Sequence, residues 1–150
     1  MPWKRLLEEN KLQKKRVSYR EVQKVLDKAH KCIKAAKLLL EKDVDESVFK
    51  EAYDSMILAS RALMFSLGLK PRTVGSHTIT IDFCSEYLGS DFKLSIQKFK
   101  RMKRKRNYLI YGIGLAISKT EAENALKAAG EFVDRVTKLI QKNNPQQKLI

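Results

Sequence analysis

Cysteine is scarce in this chain. Cys32 and Cys84 stand alone and far apart, which excludes a disulfide framework and a cysteine-based zinc site and leaves two reduced thiols, both expected in the interior. Long apolar runs are missing as well. None approaches the length that spans a bilayer, and Met1-Pro2-Trp3-Lys4-Arg5 runs straight into Leu6-Leu7-Glu8-Glu9, whose acids break any signal-peptide core. The expectation is a cytoplasmic protein with no membrane partner. The chain also lacks internal repeats, a glycine-rich phosphate loop, a His/Cys ligand cluster and a Ser/His/Asp arrangement, so neither a metal nor a cofactor is expected. Histidine is limited to His30 and His77, and between Phe92 and Thr120 there is no acidic residue at all.

What is present is positive charge. Thirty-one Lys and Arg against seventeen Asp and Glu leave a formal charge of +14 on 150 residues, enough to spread a positive potential over much of a small surface. Lysine-rich surfaces also serve solubility, but glutamate usually rises with lysine in such proteins, and here it does not. A polyanion, either RNA or a nucleotide, is therefore the favoured partner. At 43% hydrophobic residues the chain can bury one ordinary core, so a single domain is expected.

Apolar spacing is helical nearly throughout. Ser18 with Glu21 forms a capping-box pair ahead of Val22, Val25, Leu26, Ala29, Ile33, Ala36 and Leu40, which predicts a helix over 18–42. A second helix begins between Asp43 and Glu46 and carries Phe49, Ala52, Tyr53, Met56, Ile57, Ser60, Leu63, Met64 and Leu67 until Gly68 and Pro71 end it. Thr78-Ile79-Thr80-Ile81 alternates as a strand does, yet Ile79, Phe83, Tyr87 and Leu88 keep helical spacing behind Ser76. A lone strand would have no sheet to join, so this segment is read as helix. Ser90 or Asp91 then caps a fourth helix striped by Phe92, Ile96, Phe99 and Met102, and again by Leu109, Ile110 and Ile113, with Gly112 and Gly114 at its end. A second capping box, Ser118 and Glu121, opens the last helix. The result is an all-α, antiparallel up-and-down bundle of four to five helices. It is preceded by a short basic amphipathic lead over 1–17 and followed by a frayed tail over 143–150.

The fourth helix carries the most informative chemistry. Lys93, Lys98, Lys100, Arg101, Lys103, Arg104, Lys105 and Arg106 crowd together with no acid among them. Like charges at helical spacing cost about 0.2–0.5 kcal/mol per pair, so helix stability alone would not select this run. Lys100, Lys103, Arg104 and Lys105 fall off the apolar stripe, whereas Arg106 lies seven residues after Phe99 and four after Met102, on the stripe itself. A guanidinium there needs an acceptor. Two readings stand: an ion pair with Glu51 or Asp54 of the second helix, or a fork held for a phosphate, and a carboxylate that orients the guanidinium allows both. Asn107 and Tyr111 share the neighbouring face, so an arginine, an amide and a phenol converge in an inward cluster near the helix end, while Tyr108 points elsewhere. His30, among Lys28, Lys31 and Lys34, reads as a surface residue.

The sequence resembles the HEPN domains (higher eukaryotes and prokaryotes nucleotide-binding), in particular small prokaryotic members found beside minimal nucleotidyltransferases. The likeness spans Trp3 to Ile140. It rests on Trp3-Lys4-Arg5-Leu6-Leu7-Glu8-Glu9, Lys34-Ala35-Ala36-Lys37-Leu38-Leu39-Leu40, Ala52-Tyr53-Asp54-Ser55-Met56 and Ala59-Ser60-Arg61-Ala62-Leu63. Gly68-Leu69-Lys70-Pro71-Arg72 with Ser76-His77, then Ile117-Ser118-Lys119-Thr120-Glu121-Ala122-Glu123 and Ala129-Gly130-Glu131-Phe132-Val133, complete it in order along the chain. The resemblance implies a helical bundle over 18–142, a homodimer, and a motif in which Arg, four to six residues and then His cleave RNA without a metal. Here Arg106 and Asn107 match, but Tyr111 stands at the histidine position. A phenol with a pKa of about 10 cannot shuttle protons at neutral pH as imidazole does, although it can bond a phosphate or stack on a base. His77 matches a family position and is a supporting candidate, though a histidine at a helix start also serves structure.

Three functions follow. The first is binding of nucleotide or RNA phosphate by Arg106, Asn107 and Tyr111 with Lys100, Lys103 and Arg104, in a toxin–antitoxin-like module with a nucleotidyltransferase that would modify Tyr108 or Tyr111. The second is a metal-independent ribonuclease in which Arg106, Asn107 and Tyr111 are catalytic. The third is a helical protein-interaction scaffold.

Overall fold

A computed structural model describes residues 3–112 and 116–143. Its elements in chain order are helix α1 (Lys4–Glu8), strand β1 (Leu12–Lys14), helices α2 (Tyr19–Glu41) and α3 (Asp45–Ser66), and strand β2 (Leu69–Pro71). Helix α4 (Ser76–Leu88), a 3₁₀ turn over Ser90–Phe92, α5 (Lys93–Ile110) and α6 (Lys119–Lys142) follow. The fold is all-α, with five long helices and the one-turn α1, where four to five were expected.

Helix α2 is amphipathic because Val22, Leu26, Ala29, Ile33 and Ala36 repeat at alternating steps of four and three, and all five are buried. Ser18 caps it by accepting the Glu21 N–H at 3.3 Å, but the exposed Glu21 side chain makes no return bond, so only half of the expected capping box forms. At α6 both halves form: Ser118 Oγ accepts the Glu121 N–H at 3.1 Å, and Glu121 Oε1 accepts the Ser118 N–H at 3.3 Å.

Helix α3 lies at the centre, packed by α2, α6, α5 and α4. It is correspondingly apolar around most of its circumference, from Val48 and Phe49 through Met64. The hydroxyls of Ser55 and Ser60, both buried, are satisfied within the helix by the carbonyls of Ala52 and Met56 at 2.6 and 2.7 Å. Lys119 at the start of α6 meets Asp43 at the end of the α2–α3 turn, and Arg135 late in α6 reaches the Asp91 carbonyl ahead of α5. Helix α6 therefore runs with α3, and α2 and α5 run against both.

The Thr78–Ile81 alternation is helical, as its longer spacing indicated. Ile79, Thr80, Ile81, Phe83 and Cys84 are all buried, and Thr80 Oγ1 donates to the Ser76 carbonyl at 2.7 Å. Gly75 enters this helix at φ +70°, a left-handed conformation that favours glycine.

Strands do occur, at a place the apolar pattern did not mark. Leu12, Gln13 and Lys14 pair antiparallel with Pro71, Lys70 and Leu69. This ribbon ties the N-terminal lead to the loop after α3, and Leu6 of α1 is wholly buried.

Two further expectations are corrected around α5. Neither Ser90 nor Asp91 caps it with a side chain: the 3₁₀ turn intervenes, and Phe92 occupies the N-cap without a side-chain bond. Leu109 continues the buried stripe, but Ile110 is half exposed. The helix stops at Tyr111, followed by Gly112 at φ +67°. The expected roles of Ile113, Gly114 and the tail from 144 fall outside the described residues.

Candidate phosphate-binding site

An aromatic ladder sets α5 on the core. Phe99 meets Tyr53 of α3 and Phe132 of α6 edge-on at centroid distances of 5.7 and 5.5 Å, and Phe132 meets Phe92 at 6.3 Å. Two turns beyond Phe99, the Arg106 side chain leans back toward the N-terminus of its helix, as helical side chains do. Its guanidinium carbon lies 5.4 Å from the centre of the Tyr53 ring. Nη2 stands 3.8 Å from Asp54 Oδ1, an ion pair too long to be a hydrogen bond. Among the described residues no hydrogen bond engages the Arg106 guanidinium, so the fork is aimed by a ring face and a carboxylate while its N–H donors stay available.

Of the two carboxylates expected beside Arg106, only Asp54 reaches it. Partial burial pushes the Asp54 carboxyl up, Arg106 pulls it back down, and Glu51 adds a further push upward. Glu51 faces the half-buried Cys32 thiol instead. Burial first, then the Glu51 carboxylate, push that thiol up to about 12, so it stays protonated. Cys84 is fully buried, and both cysteines are free.

His77 enters the site from α4. Its Nδ1 lies 2.9 Å from the Tyr53 hydroxyl, with ring centroids 5.6 Å apart. Burial pushes its pKa down from 6.5 to about 4, helped by the positive charges of Arg61, Arg106 and Lys103, so the ring is neutral at pH 7. Arg61 of α3 donates to Ser76 Oγ at 3.3 Å, and its Nε is shielded from solvent with no partner among the described residues. Three cations therefore converge on one neutral imidazole, and Asp54 faces two of them, Arg106 and Arg61.

The structure brings together Arg106, Asp54, His77 and Lys103. Asn107 lies partly buried beside Arg106. Tyr111 does not belong to an inward cluster: it is 76% exposed at the C-cap of α5, where the helix has ended and its ring projects into water. Tyr108 is half exposed. Lys100 and Arg104 are exposed, and with Lys103 they line a groove between α4 and α5. Lys105 is drawn the other way, into an ion pair with Glu121 of α6. His30 is exposed as expected, bonded to Thr137 at 3.0 Å.

Tyr53, Arg61 and Ser76 were missed as site residues because the spacing places Tyr53 in the core stripe and marks Ser76 only as a cap. One signal was legible: a phenol in a core stripe needs a hydrogen-bond partner, and the partner types available include histidine. Among the described residues no three His, Cys, Asp or Glu side chains gather so as to hold a metal ion, and no helix is long and apolar enough to cross a membrane.

A family model for the HEPN domain matches residues 22–140, from the first buried position of α2 to the last of α6. The chain belongs to the HEPN family. No curated protein matches it closely enough to be called similar. The matched span contains the whole Tyr53–His77–Arg106 cluster.

Proposed function

We propose that this HEPN protein binds the phosphate groups of RNA or of a nucleotide, with Arg106 as the recognising group and the cations of α5 as the attracting surface. The observation that carries the reading is the posture of Arg106. Its guanidinium rests on the Tyr53 ring and faces Asp54 across 3.8 Å without a hydrogen bond. A planar fork oriented this way matches a phosphate bidentately, which a lysine cannot do. Asn107 stands beside it, and Lys100, Lys103 and Arg104 supply charge that steers without selecting. The test is RNA binding by fluorescence anisotropy. Arg106→Ala weakens binding by about tenfold or more, beyond the loss of one surface charge, and Arg106→Lys recovers only part of it. A folded Arg106→Ala protein with unchanged affinity and salt dependence would remove the reading.

One observation favours a second reading, an endoribonuclease. His77 supplies an imidazole beside Arg106 although Tyr111 occupies the family's histidine position. In the tautomer whose Nδ1–H donates to Tyr53, Nε2 is free to take the proton of an RNA 2′-hydroxyl as that oxygen bonds to phosphorus; with its pKa lowered to about 4 the ring is a weak base, so such cleavage is slow at pH 7. The P–O5′ bond then breaks, and the departing 5′-oxygen takes a proton from water. Arg106 offsets the charge on the phosphorane. Purified protein incubated with RNA in EDTA tests it: cleavage abolished by His77→Gln supports it, and no cleavage ends it.

The module reading belongs here also. We propose a homodimer partnered by a minimal nucleotidyltransferase in a toxin–antitoxin-like pair, with Tyr108 and Tyr111 as the hydroxyls that accept a nucleotide. Their exposure supports it, since an acceptor must be reachable. Mass spectrometry after co-expression decides: an unmodified Tyr108 and Tyr111 rule out that role.

A further inference from the structure

Along the seam between α4 and α5 run two adjoining cavities. The larger, of about 530 Å³, is walled by Thr78 and Ile81 of α4 and bordered by Lys100, Arg101, Lys103 and Arg104 of α5. The smaller, of about 410 Å³, lies toward the start of α5 between Ser85, Gly89 and Ser90 on one side and Lys93 and Ile96 on the other. Gln97 and Lys100 line both, so the two form one groove with a shared wall. Its far end adjoins the phosphate site, because Thr78 follows His77 in sequence and Lys103 lies one helical turn before Arg106.

The lining is uneven in charge. Five cations border the groove, and Asp82 is the carboxylate among them, with no Lys or Arg nitrogen within 4.0 Å among the described residues. A groove of this kind attracts a polyanion, and its shape narrows which one. Base faces and base edges are accessible only where a strand is unpaired. The guanidinium planes of Arg101 and Arg104, both exposed, offer surfaces for base faces, while Gln97 and Asp82 offer groups for base edges. A duplex hides its base faces and is too thick to enter a seam between two packed helices. The span from Lys93 to Arg104 is about 17 Å at the helical rise, room for no more than about five stacked nucleotides.

We infer that the α4–α5 seam is a track for an unpaired RNA strand, which it delivers to Arg106. The inference rests on the phosphate-binding reading of Arg106 and adds the class of substrate and its path. Gln97, exposed in the wall common to both cavities, is the residue that contacts bases at the middle of the track.

Fluorescence anisotropy with the intact protein tests it, using an unpaired RNA of about ten nucleotides and the same strand annealed to its complement. The unpaired strand binds about tenfold tighter than the duplex at equal salt, the loss of one stacked base being worth that much. Gln97→Glu sets a carboxylate in the shared wall and weakens unpaired binding by about tenfold. Thr78→Glu, exposed on the opposite wall, does the same from the α4 side. Both positions are exposed, and circular dichroism confirms that each variant keeps its helices. Equal or tighter binding of the duplex, or both glutamate variants within about twofold of the parent or tighter, overturns the track. Arg106→Ala separates the two ideas on the same RNA. If it weakens binding while the glutamate variants do not, the phosphate site stands and the track falls. If the glutamate variants weaken binding and Arg106→Ala does not, the track stands and the Arg106 reading falls.

Discussion

His77 is neutral at pH 7 because burial and three neighbouring cations disfavour its charged form, lowering its pKa from 6.5 to about 4. The unfolded chain therefore binds more protons than the folded one between those values, and stability rises with pH across that window. The contribution is complete above 6.5, falls as pH drops toward 4, and changes no further below that. Urea unfolding at pH 7.5 and pH 4.5 checks it: His77→Gln flattens the difference, and an identical decline in parent and variant would show that other groups govern it. Tyr53 holds two partners at once, the His77 ring through its hydroxyl and Arg106 through its face. Tyr53→Phe keeps the ring but leaves His77 Nδ1 without its bond, a loss of about 1–2 kcal/mol. RNA affinity through Arg106 is retained in that variant, since the face under the guanidinium is unchanged. Chemical denaturation and anisotropy together separate the two effects.

Among the elements, α6 and α1 make contrasting cases. The start of α6 carries a complete capping box, so Ser118→Ala removes an acceptor from the Glu121 N–H and costs about 1 kcal/mol in chemical denaturation. Helix α1 has one turn and no side-chain cap. Its place comes from Leu6, wholly buried, and from the β1–β2 ribbon. Leu6→Ala leaves a cavity and costs about 2–5 kcal/mol, which denaturation measures; a cost below about 0.5 kcal/mol would show that the lead is dispensable to the fold. The capping boxes and the three-and-four spacing made α2, α3 and α6 legible in the sequence, because a helix records its buried face in its own period. The ribbon was not legible. Three-residue strands leave too few positions for a period-two pattern, and their pairing joins residues about sixty apart in sequence.

At the scale of the molecule, a charge of +14 makes association with a polyanion depend on salt. If Lys100, Lys103, Arg104 and Arg106 each neutralise one phosphate of an unpaired strand, log affinity falls with log salt at a slope of about −3. Arg106→Ala makes that slope shallower by about 0.7. A potassium chloride series followed by anisotropy gives both numbers, and a slope near zero would count against phosphate contact. Composition, charge and periodicity were enough to establish an all-α bundle with a basic helix and to pick out Arg106 as the one cation on an apolar stripe, because these properties are local and repeat along the chain. Only the tertiary structure decided that Asp54 and not Glu51 faces Arg106, that Tyr111 projects into water, and that His77 stands at the site across the Tyr53 hydroxyl. These three depend on how α3, α4 and α5 are rotated and set against one another, and that is determined by packing between distant segments, which no local period encodes.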